Sequence, residues 1–234
     1  LLVSTSDVAG QIRLFTNNQD GSFSDRTQAA GLTGITGGLN MVQADYDNDG
    51  SVDVLVLRGA WFEDAGQHPN SLLRNNGTGG FTDVTFAARL GDVHYPTQTA
   101  AWADYDNDGD LDLHVANVGA NALYRNDGAE TFVELAAAAE VALLSSGWIT
   151  AMAAWADVNG DGYLDLYLAN GADRKQHPDV LASGSATGIF ADSTGTASLS
   201  SSANSHLSVV FADIDANGTP GVYVTNGSRL GNRL

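Results

Sequence analysis

The sequence predicts an all-β chain of β-propeller type, about four repeats of ~55 residues, each a four-stranded blade carrying a calcium-binding hairpin loop. Three observations carry this prediction. An acidic stretch recurs four times, a phenylalanine-centred stretch alternates with it, and four short strand-like runs fall within each period. The acidic stretches begin at Asp45, Asp104, Asp157 and Asp213, spaced 59, 53 and 56 residues. The alternating element is anchored on Phe23, Phe81, Phe132 and Phe190, spaced 58, 51 and 58 residues.

The strands follow in order within a period. Taking one as the example, they read "QTAAWADYD", "LDLHVAN", "ALYRND" and "TFVELA", separated by Asn, Asp and Gly, the residues that make tight turns. Helical periodicity is missing outside "ELAAAAEVALL" (134–144). That stretch stands where other repeats have "TQAAGL" and "TFAARL", so it is read as a helical turn after the outer strand. The blade boundaries fall near residues 36, 95, 147 and 204 of one repeat domain spanning 1–234. The chain opens on "LLVST", a strand that elsewhere follows an acidic loop, so that strand occurs five times and the loop four. Either these residues are part of a longer chain or the spare strand completes a neighbour's sheet.

Composition bounds the function. The 234 residues hold no cysteine, so disulfides and thiol catalysis are excluded. The formal charge is −18, with 28 acidic residues against 10 basic, which argues against nucleic acid and anionic membranes as partners, since phosphate recognition needs Lys and Arg. No apolar run has the ~18 residues a membrane-spanning helix requires. The acids are clustered rather than spread, so a solvated surface does not account for them.

The clusters have the spacing D-x-D-x-D-G-x-x-D, which suits a hard cation. Calcium takes six to eight oxygens, and a turn with carboxylates at positions 1, 3, 5 and 9 and a carbonyl at 7 can surround it, with glycine at 6 allowing the bend. The first loop offers Asp45, Asp47, Asp49 and Asp53 with the carbonyl of Ser51. The second offers Asp104, Asp106, Asp108 and Asp112 with the carbonyl of Asp110. The third offers Asp157, Asn159, Asp161 and Asp165 with the carbonyl of Tyr163. The fourth keeps Asp213, Asp215 and Asn217, but Gly221 stands at position 9, so weak binding or none is expected there. A helix–loop–helix calcium site needs a Glu at position 12; here Val56, Val115 and Leu168 stand there within alternating, strand-like sequence. The loop therefore joins two strands of a hairpin. An Asx-rich turn without metal does not explain three ligand sets in register. Magnesium fits less well because it keeps its waters. Without a cation, crowded carboxylates should repel and their pKa values rise.

These elements, above all "AWADYDNDGDLDLHVAN" and "HPNSLLRNNGTGGFTDVT", resemble the FG-GAP/VCBS repeat family, the calcium-loop blades also found in integrin α-subunit propellers, and within it the bacterial proteins related to the cartilage acidic protein/ASPIC-UnbV group. The resemblance extends over essentially the whole chain. It implies a β-propeller with calcium in the blade hairpins, and a binding or adhesion role without a reaction.

Trp61, Phe62, Arg58, Arg174 and Lys175 lie in the longer inter-strand loops and could meet a glycan, although a loop packing its own aromatics is the plainer reading. His68 and His177 each precede a proline, in a "QHP" that recurs 109 residues apart, and are read as structural turns. Trp102 and Trp155 are read as inter-blade core and His114 as structural. No Ser/His/Asp set with recognisable spacing appears, so no enzyme is expected. The expected function is an extracellular, calcium-stabilised module that binds glycan or protein. One alternative is the protomer of a calcium-dependent filament that binds itself head to tail. Another is the non-catalytic part of a polysaccharide-active enzyme.

Overall fold

A computed structural model describes residues 1–59, 66–92, 95–141, 149–171, 177–199 and 206–226, and every described element is a strand. The expected helical stretch begins as a single turn. There Ala139 N–H donates to Leu135 O and Val141 N–H to Ala136 O. Residues 142–144 lie outside the described residues, as do the expected boundaries at 147 and 204.

Two compact units are present, Leu1–Thr97 and Gln98–Leu234. In the first, β1 (Leu2–Val3), β2 (Arg13–Asn17) and β3 (Phe23–Asp25) form a three-stranded sheet. Next, β4 (Asn40–Ala44), β5 (Asp53–Leu57), β6 (Ser71–Asn75) and β7 (Phe81–Asp83) form a four-stranded antiparallel meander. One core cluster spans both sheets of this unit, with Ile12, Ala30, Leu32, Val56 and Leu73 buried and Leu14, Met41 and Phe81 packed on them.

The second unit repeats the meander twice. One sheet is β8 (Thr97–Ala103), which begins on the last residue of the first unit, with β9 (Asp112–Asn117), β10 (Ala122–Asn126) and β11 (Phe132–Glu134). The next is β12 (Thr150–Ala156), β13 (Asp165–Asn170), β14 (Val180–Ser183) and β15 (Ala191–Asp192), followed by the pair β16 (His206–Ala212) and β17 (Gly221–Asn226). Sequential antiparallel strands of this length, four to a sheet, are the blades the sequence predicts. All six residues of β9 and of β13 are buried, as befits the second strand of a blade sandwiched on both faces. Tyr105, Leu123, Leu166 and Phe190 lead one core cluster, and Tyr167, Leu181, Val209 and Val224 another.

The phenylalanine element ends in a repeated lock. Thr27, Thr85 and Thr194 each donate a hydroxyl to the aspartate two residues earlier, Asp25, Asp83 and Asp192. Each hydroxyl oxygen then accepts the N–H of Leu14, Leu72 or Leu181 on the neighbouring strand. The motif "D-x-T" is thus a local device that closes the outer hairpin.

Candidate metal centres

Each acidic loop is the turn between the first and second strands of a sheet. Ala44 faces Asp53, Ala156 faces Asp165, and Ala212 faces Gly221 in the flanking ladders. The loops share a backbone form. Position 4 has positive φ in all four, at Asn48 (56°), Asn107 (61°), Gly160 (75°) and Ala216 (55°). Position 6 does too, at Gly50, Gly109, Gly162 and Gly218, where glycine meets no steric penalty.

The position 1 carboxylate organises the turn. Asp45 Oδ1 and Oδ2 accept the N–H groups of Asp49 (3.1 Å) and Gly50 (3.0 Å). Asp104 does the same for Asp108 and Gly109, Asp157 for Asp161 and Gly162, and Asp213 for Asn217 and Gly218. Position 5 in turn accepts the N–H of position 7: Asp49 from Ser51, Asp108 from Asp110, Asp161 from Tyr163, and Asn217 from Thr219. In the third loop Asn159 stands at position 3, and its amide accepts from Asp161 N–H while donating to the Asp161 carboxylate. In the fourth, Asn217 donates to Asp215. Asn107 Nδ2 donates to Gly162 O (3.0 Å), which ties the second loop to the third.

The structure brings positions 1, 3 and 5 of the first two loops together. Asp45, Asp47 and Asp49 each present a carboxylate oxygen, all within 4.8 Å of one another, and Asp104, Asp106 and Asp108 do likewise. Asp106 Oδ1 is buried with no hydrogen-bond partner. An orphaned buried carboxylate oxygen facing two other carboxylates is a donor set suited to a hard divalent cation.

Position 9 has a structural role that its spacing alone did not show. Asp53, Asp112 and Asp165 are almost wholly buried. Asp53 accepts the N–H of Tyr46 in its own loop (3.3 Å) and of Asn75 at the end of β6 (2.7 Å). Asp112 does so with Tyr105 and Asn126, and Asp165 with Val158 and Gly184. This carboxylate therefore fastens the loop to the third strand, and Gly221 removes that fastening from the fourth loop.

The expected rise in carboxylate pKa is seen at positions 3 and 9 of the first two loops and at position 9 of the third, and its leading cause is burial rather than repulsion. Burial pushes Asp53 up to about 6 and Asp112 up to about 7, with the neighbouring aspartates adding smaller repulsion. Burial is also the leading cause for Asp47, Asp106 and Asp165. Asp157 moves the other way, because the N–H of Gly162 and its neighbours stabilise the charged form.

A cleft of about 340 Å³ opens beside the second loop, lined by Tyr105, Asp106, Arg125, Leu135, Thr187 and Ile189 among others. Tyr105 stacks on Trp155 with centroids 6.2 Å apart, and Trp155 also packs on Phe190, so Trp155 is core as expected. His114 is fully buried edge-on to Trp155, and burial pushes its imidazole down to about 3. Arg58 follows the plainer of its two readings: it is buried and donates to Thr36 O, Pro69 O and Ser71 Oγ, so it serves the loop base rather than a ligand surface. Trp61, Phe62, Arg174 and Lys175 lie outside the described residues.

Residues 1–56, 60–115 and 104–168 match the family model described as FG-GAP-like repeat. The first three acidic loops lie within the matched residues and the fourth lies outside them. Cartilage acidic protein 1 from Xenopus tropicalis is 32% identical over 182 residues, covering 72% of this chain and 26% of that protein. The Homo sapiens protein of the same name is 31% identical over 183 residues, with the same coverage. This chain thus spans about a quarter of the length of the curated relatives it matches. A solved structure of an Agrocybe aegerita lectin, described as recognising non-reducing terminal N-acetylglucosamine, superposes with a TM-score of 0.52 at 22% identity. The match covers 93% of this chain and 55% of that one. At that identity the likeness concerns the fold.

Proposed function

The chain belongs to the FG-GAP-like repeat family, and from that premise we propose that it is an extracellular binding module whose blades are held by calcium and whose partner is a glycan or a protein. The observation that carries the calcium reading is the pair of carboxylate triads, one with a buried, unpartnered oxygen. In the first loop Asp45, Asp47, Asp49 and Asp53 would hold the ion with the Ser51 carbonyl. In the second, Asp104, Asp106, Asp108 and Asp112 would do so with Asp110, and in the third, Asp157, Asn159, Asp161 and Asp165 with Tyr163. Bound calcium supplies positive charge to a turn crowded with carboxylates. Each filled site stabilises the fold by about 1.4 kcal/mol when free calcium is tenfold above its dissociation constant. Oxygen sites on exposed loops suit the millimolar calcium found outside cells, which supports the extracellular assignment.

The binding role rests on the family and on the shared fold with a lectin that recognises terminal N-acetylglucosamine. Arg125, Thr187 and Ile189 bring charged, hydroxyl and apolar groups to one cleft floored by the buried Tyr105, a mixture that can meet a sugar and its hydroxyls. The cleft borders Asp106, so calcium in the second loop would also set its wall. A glycan array that includes terminal N-acetylglucosamine, probed in millimolar calcium and again in EDTA, tests this reading. Calcium-dependent binding weakened by R125A is expected. Absence of any glycan or protein binder in calcium would overturn it.

A further inference from the structure

The second and third acidic loops lie in the same compact unit and share one peptide group. That peptide joins Gly162 to Tyr163, positions 6 and 7 of the third loop. Its N–H, on Tyr163, donates to Asp161 Oδ1 (2.9 Å). Its carbonyl, on Gly162, accepts from Asn107 Nδ2 (3.0 Å), 55 positions earlier in the second loop. The Gly162 N–H just before it donates to Asp157 Oδ2 (2.9 Å). The peptide is therefore gripped at one end by a carboxylate of its own loop and at the other by a side chain of the neighbouring loop.

Asn107 serves both loops. It stands at position 4 of the second loop, between Asp106 and Asp108, with a φ of 61°. Asparagine enters that left-handed region more readily than most side chains, so the same residue that shapes its own turn also carries the amide that reaches the next. The N–H that follows it, on Asp108, is held by Asp104 Oδ1 (3.0 Å). Holding the Asn107 amide in one place restricts the backbone between Asp106 and Asp108. Holding the peptide between Gly162 and Tyr163 restricts Asp161 and the Tyr163 carbonyl. The link stops at the third loop, because Gly160 stands at its position 4 and has no side chain to reach the fourth.

Resting on the calcium reading above, we propose that this clamp couples the two loops, so that an ion held in either one raises the affinity of the other. Ordering the shared peptide for the first ion lowers the ordering cost for the second, and linkage makes the effect equal in both directions. The Asn107 hydrogen bond is exposed, which sets the expected coupling at about threefold, the low end of what one hydrogen bond contributes. The test is a calcium titration of the full chain followed by NMR at the amides of Gly109 and Gly162. Each of these N–H groups donates to the position 1 carboxylate of its own loop, so each loop reports separately. D108N and D161N each weaken one loop while keeping an acceptor at position 5, as Asn217 does in the fourth loop. Weakening one loop is expected to raise the calcium midpoint of the other about threefold, at least for the loop that fills second. N107G keeps the left-handed turn and is expected to abolish that shift. Midpoints unmoved in both D108N and D161N, midpoints that fall, as repulsion between ions would give, or a shift that persists in N107G would overturn the coupling and leave the calcium reading intact. No calcium response at either amide would overturn both. If N107G does not fold, the shifts in the other two variants decide alone.

Discussion

The third and fourth acidic loops form the most informative contrast in the molecule. Both use the position 1 carboxylate, Asp157 or Asp213, to gather the same two backbone N–H groups. Two of their differences bear on the turn and its anchoring. Asp165 is buried and fastened to Val158 and Gly184, where the fourth loop has Gly221. Gly160 adopts positive φ freely, where Ala216 adopts it against a steric penalty. The turn thus persists without its ninth residue, so the turn form alone does not report a metal. What a complete loop adds is a buried carboxylate joining the turn to the third strand.

Calcium removal is the largest perturbation of this contrast. With three sites tenfold above their dissociation constants, EDTA is expected to cost about 4 kcal/mol, read as a fall in melting temperature. An unchanged melting temperature would place the first three loops in the same class as the fourth. The substitution D165G copies the ninth residue of the fourth loop into the third and leaves two backbone amides without their acceptor. A loss of about 3 kcal/mol in chemical denaturation is expected, persisting in EDTA because the fastening does not need the ion. A loss seen only in calcium would reduce Asp165 to a ligand.

The pH response of the calcium-free chain follows from Asp53 and Asp112, whose folded pKa values burial raises to about 6 and about 7 from the ordinary carboxylate value of 3.8. Between those limits the folded state holds protons that the unfolded state has released, so stability falls as pH rises from about 4 to about 7. Melting in EDTA is therefore expected at a higher temperature at pH 5 than at pH 7.5. With calcium the order should reverse, since protons then compete with the ion. The smallest effect is A216G, which relieves the strained turn of the fourth loop and is expected to gain about 0.5 kcal/mol, less than the strain because glycine loses more freedom on folding. A loss there would mean that Ala216 packs usefully despite its φ.

Much of this was legible because it is local. Repeats, strand runs, hairpin loops and the positions of the acidic turns all lie within windows of about ten residues, where spacing and alternation report directly on the backbone. Non-local pairings were not legible. Asp53 meets Asn75 across 22 residues, and Asp179 meets His206 across a sheet boundary, so no spacing rule marks either. Phe23 shows the same limit: it shares a repeat position with Phe132 and Phe190, yet it is 55% exposed while they are buried. The carbonyl partners of Arg58, Thr36 and Pro69, lie 22 and 11 residues away and were likewise not legible.

The most direct test is a count of calcium bound per chain at saturation, by titration calorimetry of calcium-free protein. The distinction between complete and incomplete loops requires three ions. None would contradict the calcium reading altogether, and any other number would contradict the division into three complete loops and one incomplete one.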